Sequence, residues 1–506
     1  MAYGIFRKNQ LILDKDYKFY SKRPIIVGVK MKNKNDAIIS GLLKFSIGPV
    51  GGAAISFLTL PITTSLVSPE EFGKSTMFTL VQALTTSFLY LGMDHAYVRE
   101  YNEFEDKHKV LFNALLFPLA LAIIISSISV MFAGQISQLI FGTDLKMVVY
   151  IYAIWLPFVA IENLLLANIR MKENGLAFSF FNIFLRLSIL ILTVFFLVLW
   201  SKSYISIIMA TVFGQILVDI ILILYSRKEL KFKIDYFDKD LVRKMLKFGL
   251  PWIPAAVIGW LLTSSDRIFL GKLTSYEQVG IYFAAMKIIA VLGVIQSVVI
   301  SYWSPVSYRW RSEGVDDEKF TVVNQASMFL MALLFMSILF FRDILIGILS
   351  PEYSAAAVIA PFLLFYPIMN TVSHMTSLGI AFSRKTHYNI WISTVAAISN
   401  VILNIILIPL WGAIGAAVAT GVSYIIFFWI RTLISRKLWY TFNLKYYFIS
   451  IFILLIGATT NVLIRGYLIY IINILLILII LFYNRKIIQF ALKYNRGVNL
   501  LKFNKR

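Results

Sequence analysis

Residues 177–199 read AFSFFNIFLRLSILILTVFFLVL, an apolar run carrying one charge, Arg186. Wound as an α-helix at about 1.5 Å per residue, it reaches across a hydrocarbon layer about 30 Å thick. A chain crossing lipid must satisfy its own backbone groups, so the run is a helix. The same pattern recurs throughout, at roughly 45–66, 75–97, 110–133, 147–169, 177–199, 203–225, 248–268, 281–302, 321–341, 355–379, 389–409, 411–433, 446–464 and 467–483. The alternating short strands of a membrane β-barrel are absent. Composition agrees, with 59% hydrophobic residues, 15% charged and a mean hydropathy of +0.78. Soluble domains carry about 45–50% apolar and about 25% charged residues. The expected fold class is all-α, a polytopic membrane protein of about fourteen transmembrane helices.

Basic residues orient these spans, because Lys and Arg resist translocation. With the N-terminus cytoplasmic, the inside segments hold about 39 Lys and Arg and the outside loops about 7. Arg186 and Lys287 complete the 48 from within spans. Both termini are therefore expected in the cytoplasm, in a plasma or inner membrane. The net charge of +22 follows from topology and anionic headgroups. It is scattered over short loops, which excludes nucleic acid as a partner.

The chain has no cysteine, hence no disulfide or thiolate metal site. The first ~40 residues are basic, with no apolar stretch ahead of a cleavage site. Met31, followed by Lys32-Asn33-Lys34-Asn35-Asp36 and the first span, is an alternative translation start. No outside loop is long enough to fold as a domain, which disfavours a membrane sugar polymerase or glycosyltransferase. The loop 226–247 contains Asp238-Lys239-Asp240, which reads as a solvated charge run rather than a metal site, and Asp316-Asp317-Glu318 reads likewise. No nucleotide-binding loop and no His pair at ligand spacing is present. A non-enzyme without cofactor or metal is expected.

The chain echoes itself. Lys44-Phe45 opens the first span and Lys247-Phe248 the seventh. Ser68-Pro69-Glu70-Glu71-Phe72-Gly73 resembles Ser275-Tyr276-Glu277-Gln278-Val279-Gly280. Lys172 and Lys385 precede similar helices ending at Trp200 and Trp411. Copies six spans apart share an orientation, giving a pseudo-two-fold axis along the membrane normal and a path between the halves. The expected organisation is a basic extension (1–40), two pseudo-symmetric six-helix bundles (41–225 and 248–435) joined by a cytoplasmic linker (226–247), two accessory helices (436–485) and a basic tail (486–506).

Several motifs carry a family resemblance. Phe57 through Leu66, Ser68 through Gly73, and Leu91-Gly92-Met93-Asp94 with Arg99 resemble the start of the polysaccharide-biosynthesis flippases. These are the Wzx-type O-antigen transporters of the multidrug/oligosaccharidyl-lipid/polysaccharide exporter superfamily. Gly249-Leu250-Pro251-Trp252-Ile253-Pro254, Ser265 through Leu270 and Val279 through Tyr282 are similar to its second-half signature. Asn400 through Ile405 and Ile408 through Ala417 resemble its junction between helices eleven and twelve. The resemblance implies a V-shaped transporter that moves undecaprenyl-diphosphate-linked oligosaccharide to the outer leaflet for O-antigen, capsule or exopolysaccharide assembly. It also implies polymerase and chain-length proteins as pathway partners. A peptidoglycan lipid-precursor flippase and a cation-coupled multidrug efflux transporter of the same superfamily stay open as alternatives.

Moving a diphosphate and sugars through a low-dielectric slab calls for cations and hydrogen-bonding groups. Charged residues at membrane depth are costly and mark candidates. Arg186 and Lys287, one from each half, are expected to line a central cavity, with ion pairing to an intramembrane acid as the bland alternative. Asn182 lies one turn from Arg186. Arg170, Arg267, Asn370 and His374 complete the candidate contacts, with Asp266 and Arg267 expected to pair at the bundle interface. Glu162, Asp219 and Asp266 are the candidates for ion coupling. Pro251, Pro254 and Pro367 are candidate bending points.

Overall fold

A computed structural model describes residues 34–489 apart from Phe232. Met31, most of the basic extension and the end of the tail lie outside the described residues. In chain order the helices of the first half are α1 (Lys34–Leu66), α2 (Pro69–Leu89), α3 (Met93–Glu100), α4 (Lys107–Met131), α5 (Ala133–Phe141), α6 (Lys146–Met171), α7 (Gly175–Leu199) and α8 (Tyr204–Tyr225). Then follow α9 (Lys239–Gly249), α10 (Trp252–Leu273), α11 (Tyr276–Ile289), α12 (Val291–Ser312), α13 (Asp317–Phe340), α14 (Arg342–Ile346), α15 (Ala356–Leu363), α16 (Phe365–Thr376) and α17 (Leu378–Phe382). The long α18 (His387–Leu438), α19 (Leu444–Leu463) and α20 (Leu468–Tyr483) complete the chain. No strand occurs among the described residues. The protein is an all-α, many-pass membrane protein.

Eleven of the helical stretches are long and apolar enough to cross a bilayer, and twelve if α2 and α3 form one bent span. The expected count of about fourteen depends on dividing α18 and admitting the 16-residue α20. Division of α18 has a physical basis. Gly412 sits at φ 56°, ψ −130°, and a Cβ built on Gly415 would lie 2.2 Å from the Leu407 carbonyl oxygen, so the chain folds back on itself. Only glycine fits the turn, because a Cβ at 412 would meet Gln278 Oε1 at 2.1 Å. That oxygen accepts the Ala413 N–H at 2.7 Å and closes the break.

The second span differs from its expected 75–97. It starts at Pro69 behind an N-cap, Ser68, whose hydroxyl accepts the Glu71 N–H. It then bends by 46° where Leu91 and Gly92 take positive φ. The loop 226–247 is also more ordered than a charge run. Its second part is the amphipathic α9, which buries Leu241, Val242 and Met245. Asp238 is the N-cap of α9, accepting the Asp240 and Leu241 N–H groups, so Asp238-Lys239-Asp240 starts a helix. Lys244 of α9 bonds Glu100 at 2.5 Å and Glu103 at 2.8 Å beyond α3. Its ammonium holds the Glu103 carboxyl below the usual range.

The echoed loops meet each other. A Cβ on Gly73 would lie 1.8 Å from the Tyr276 carbonyl oxygen and 2.9 Å from the Gly280 nitrogen. One on Gly280 would lie 1.9 Å from the Pro69 oxygen and 3.0 Å from the Gly73 nitrogen. The starts of α2 and α11 thus cross backbone to backbone, each behind a serine N-cap, Ser68 or Ser275. A second contact between the halves joins Gly92 to Gly249, each of which would clash with the other's backbone if it carried a Cβ. Beside it His95 stacks on Trp252 with ring centroids 4.5 Å apart, and Arg99 lies 4.5 Å from the Phe248 ring. The halves therefore touch at two levels. The Gly92–Gly249 level lies at the end rich in basic loops (the basic end), and the Gly73–Gly280 level at the far end. Beyond the second half, α19 and α20 pack against α13, with Asn461 and Asn473 bonded at 2.8 Å inside the packing.

Candidate functional site

Helix α7, which includes the opening stretch, packs along α1 through a glycine face. The Gly48 N–H donates to Ser179 Oγ at 2.9 Å, and Gly51 and Gly52 leave room for Ile183 and the stem of Arg186. A Cβ on Gly52 would come within 3.3 Å of Arg186 Cγ. Small residues thus let the two backbones approach and pass the arginine over α1 into a cavity beyond it.

That cavity, about 170 Å³, lies between the halves below the Gly73–Gly280 crossing. Arg186 of α7 and Lys287 of α11 both line it. Its remaining polar lining is Ser56, Thr59, Thr63, Ser75, Thr76, Thr79, Thr193 and Thr211, with Phe72 and Phe283 among the apolar walls. No lining residue is acidic. Thr59, Thr63, Ser75, Thr76, Thr193 and Thr211 donate their hydroxyl protons to carbonyls of their own helices. Their oxygens keep lone pairs that can accept from a polyol. The cavity so combines two cations with a wall of hydroxyl acceptors.

Neither cation is neutralised by contact. Among the described residues no carboxylate oxygen lies within 4.0 Å of Arg186 or Lys287. Glu162, the intramembrane acid named as a candidate, accepts from Gln215 Nε2 at 2.6 Å instead. The ammonium of Lys287 lies 5.1 Å from the Phe283 ring centroid, and the Arg267 guanidinium lies 5.2 Å from the same centroid. Ion pairing therefore does not account for either residue.

The other candidates are dispersed. Asn182 turns back on its own helix, donating to the Phe178 carbonyl at 2.8 Å, and does not line the cavity. Arg170 is exposed and covers the Phe178 ring at 5.7 Å, outside the cavity. Arg267 donates to Ser264 Oγ at 2.8 Å and reaches the site only through Phe283. The expected Asp266–Arg267 pair is absent. Asp266 is buried and accepts from Tyr282 and Thr420 hydroxyls at 2.5 Å and from Asn404 Nδ2 at 2.6 Å. Consecutive helical residues face different ways, so adjacency in sequence does not make a pair. Asn370 lines no described cavity, and His374 lines a different one at the basic end of the second half. Of the three acids, Asp219 is buried with both oxygens unpartnered. The hydroxyls of α1 and α2 are the part of the site that sequence reading misses. Their signal is the density of Ser and Thr in two otherwise apolar spans, at 56–64 and 75–79.

A lipid II flippase in an inward closed conformation superposes with a TM-score of 0.67 at 20% identity, covering 88% of this chain and 99% of that one. An inward-facing multidrug resistance MATE family transporter of the MOP superfamily gives 0.62 at 12% identity, covering 76% and 94%. At these identities the likeness is one of fold. Sequence defines the family: residues 41–313, more than half of the chain, match the polysaccharide biosynthesis protein family, and the chain belongs to it. A probable low-salt glycan biosynthesis flippase of Haloferax volcanii is 26% identical over 203 residues, 39% of this chain and 40% of that protein's length.

Proposed function

We propose that the protein is a flippase for lipid-linked glycans. The observation that carries this reading is the meeting of two unpaired cations, one from each half, in a hydroxyl-lined cavity. Two fixed positive charges suit a phosphate or diphosphate, and hydroxyl acceptors suit sugar hydroxyls. The absence of acidic lining residues speaks against a cationic drug as cargo. Family membership and the glycan flippase relative support the same class. In finer terms, the cargo is an undecaprenyl-diphosphate-linked repeat unit carried from the cytoplasmic to the outer leaflet of the plasma membrane, with both termini cytoplasmic. The product feeds O-antigen, capsule or exopolysaccharide assembly, where polymerase and chain-length proteins act next. The halves alternate by opening at one level while closed at the other. We assign ion coupling to Asp219, the acid whose oxygens are free, ahead of Glu162 and Asp266, whose oxygens accept hydrogen bonds.

The test is complementation of a deletion strain with Arg186→Ala and Lys287→Ala, with lipid-linked glycans measured. Both variants reach the membrane, lose surface polysaccharide and accumulate complete repeat units on the cytoplasmic leaflet. Normal polysaccharide in both would refute the site. Accumulation of peptidoglycan precursor instead would move the chain to that alternative.

A further inference from the structure

A second cation reaches a second cavity. Arg431, in the last third of α18, is counted with the cytoplasmic loops when basic residues are used for topology. In the structure its guanidinium turns inward. Nη1 donates to Ser373 Oγ at 3.1 Å, while Nε is out of solvent contact and has no partner. The Phe427 ring covers it, centroid 5.5 Å away. No carboxylate lies within ion-pair distance among the described residues.

Arg431 lines a cavity of about 130 Å³ at the basic end of the second half, between α12, α16, α17 and the start of α18. Trp303 Nε1 is buried there without an acceptor. The side chains of Tyr308, His374 and Asn389 also line it and make no hydrogen bond among the described residues. No lining residue is acidic. The wall thus carries a fixed cation and several idle N–H and O–H donors. Two of these donors, Arg431 Nε and Trp303 Nε1, are buried, and unsatisfied buried donors are costly unless something accepts from them. A cavity of roughly 150 Å³ holds one benzene ring, so this space suits one charged group and not a chain of sugars.

We propose that this cavity binds a single oxyanion, a phosphate or carboxylate, presented from the basic end. Its source is a charged group of the glycolipid or the headgroup of an anionic phospholipid. The site is separate from the cavity of Arg186 and Lys287, and its test does not depend on transport.

The test uses the full chain in phosphatidylcholine nanodiscs, in an Arg186→Gln/Lys287→Gln background that removes the central cations. Inorganic phosphate is titrated and the melting temperature read. Saturable stabilisation is expected, retained by Arg431→Lys and weakened at least tenfold in apparent affinity by Arg431→Gln. Repeating the titration with phosphatidylglycerol in the nanodisc separates the sources. Loss of the phosphate response assigns the site to a headgroup, and its persistence assigns it to the glycolipid's charged group. If the background protein shows no saturable response, or if Arg431→Gln responds as strongly, the proposal is wrong. Should the Arg431→Gln variant not fold, Trp303→Phe, which removes one donor and keeps the ring, is expected to weaken the response severalfold. An unchanged response in that variant would also overturn the site.

Discussion

Gly73→Ala is expected to open the far end of the protein. A Cβ at this position lies 1.8 Å from the Tyr276 carbonyl oxygen, where ordinary contact begins at 3.4 Å. The obstacle is helix backbone, so no side chain can rotate away, and α2 and α11 must separate by about 1.6 Å at the crossing. Overpacking of this kind costs about 1–3 kcal/mol. If the cost falls only on the state closed at the far end, it shifts the equilibrium toward opening by about 5- to 150-fold. The cysteine-free chain is a ready background for thiol cross-linking. A Phe72→Cys/Phe283→Cys pair reports the far end, where these rings lie 5.9 Å apart, and a His95→Cys/Trp252→Cys pair reports the basic end. Gly73→Ala lowers far-end cross-linking by a short bifunctional reagent and preserves or raises it at the basic end. Gly259→Ala, whose Cβ meets nothing within 4 Å, changes neither. Unchanged far-end cross-linking in Gly73→Ala refutes the reasoning. An equal fall at both ends refutes it too, because that outcome is loss of packing and not a shift between states.

Three further outcomes follow from individual contacts. Lys244→Ala removes the cation on buried Glu100 and on Glu103, and is expected to lower cross-linking of the basic-end pair while sparing the far-end pair. Thr420→Val takes one of three donors from buried Asp266 and is expected to lower the melting temperature, by about 1–3 kcal/mol of stability measured in detergent. Asp238 is held below the usual carboxylate range by Lys109 and by the N–H groups it caps. Its folded value is depressed, so its contribution is present above the unfolded value of about 3.9 and lost as pH falls through the folded one. Melting temperature measured from pH 7 down to pH 3 therefore falls further for the wild type than for Asp238→Asn.

The apolar runs and the basic-residue bias made the helical membrane fold legible, because both are properties of the chain that tertiary packing does not alter. The Gly412 break was legible too, since Trp411-Gly412 ends one apolar run and begins the next. Arg186 and Lys287 could be singled out because a cation amid apolar neighbours is costly wherever it points. Arg431 could not. It lies within two turns of a helix end rich in Arg and Lys, where sequence distinguishes an anchor from an inward-facing group only once the packed face is known. Asn182 failed for a local reason: one turn from Arg186 is the right face, but its amide reaches its own backbone first. The echoed Gly73 and Gly280 were visible as a repeat, yet nothing in a repeat says that its copies touch.

That contact bears on how cargo and closure are linked. The helices that cross at Gly73 and Gly280 also wall the central cavity. Phe72, Ser75 and Thr76 flank Gly73, and Phe283 and Lys287 follow Gly280 by one and two turns. Separating α2 from α11 at the crossing therefore moves Lys287 relative to the α2 hydroxyls and to Arg186. On the proposed reading, a diphosphate bridging Arg186 and Lys287 would draw the two halves together where the crossing needs them close. By reciprocity, anything that widens the crossing weakens the bridge. Gly73→Ala should accordingly bind a diphosphate-bearing glycolipid more weakly, by at most the 5- to 150-fold factor that it gains in far-end opening. Equal affinity in the variant, alongside altered cross-linking, would show that the cations hold cargo without sensing closure.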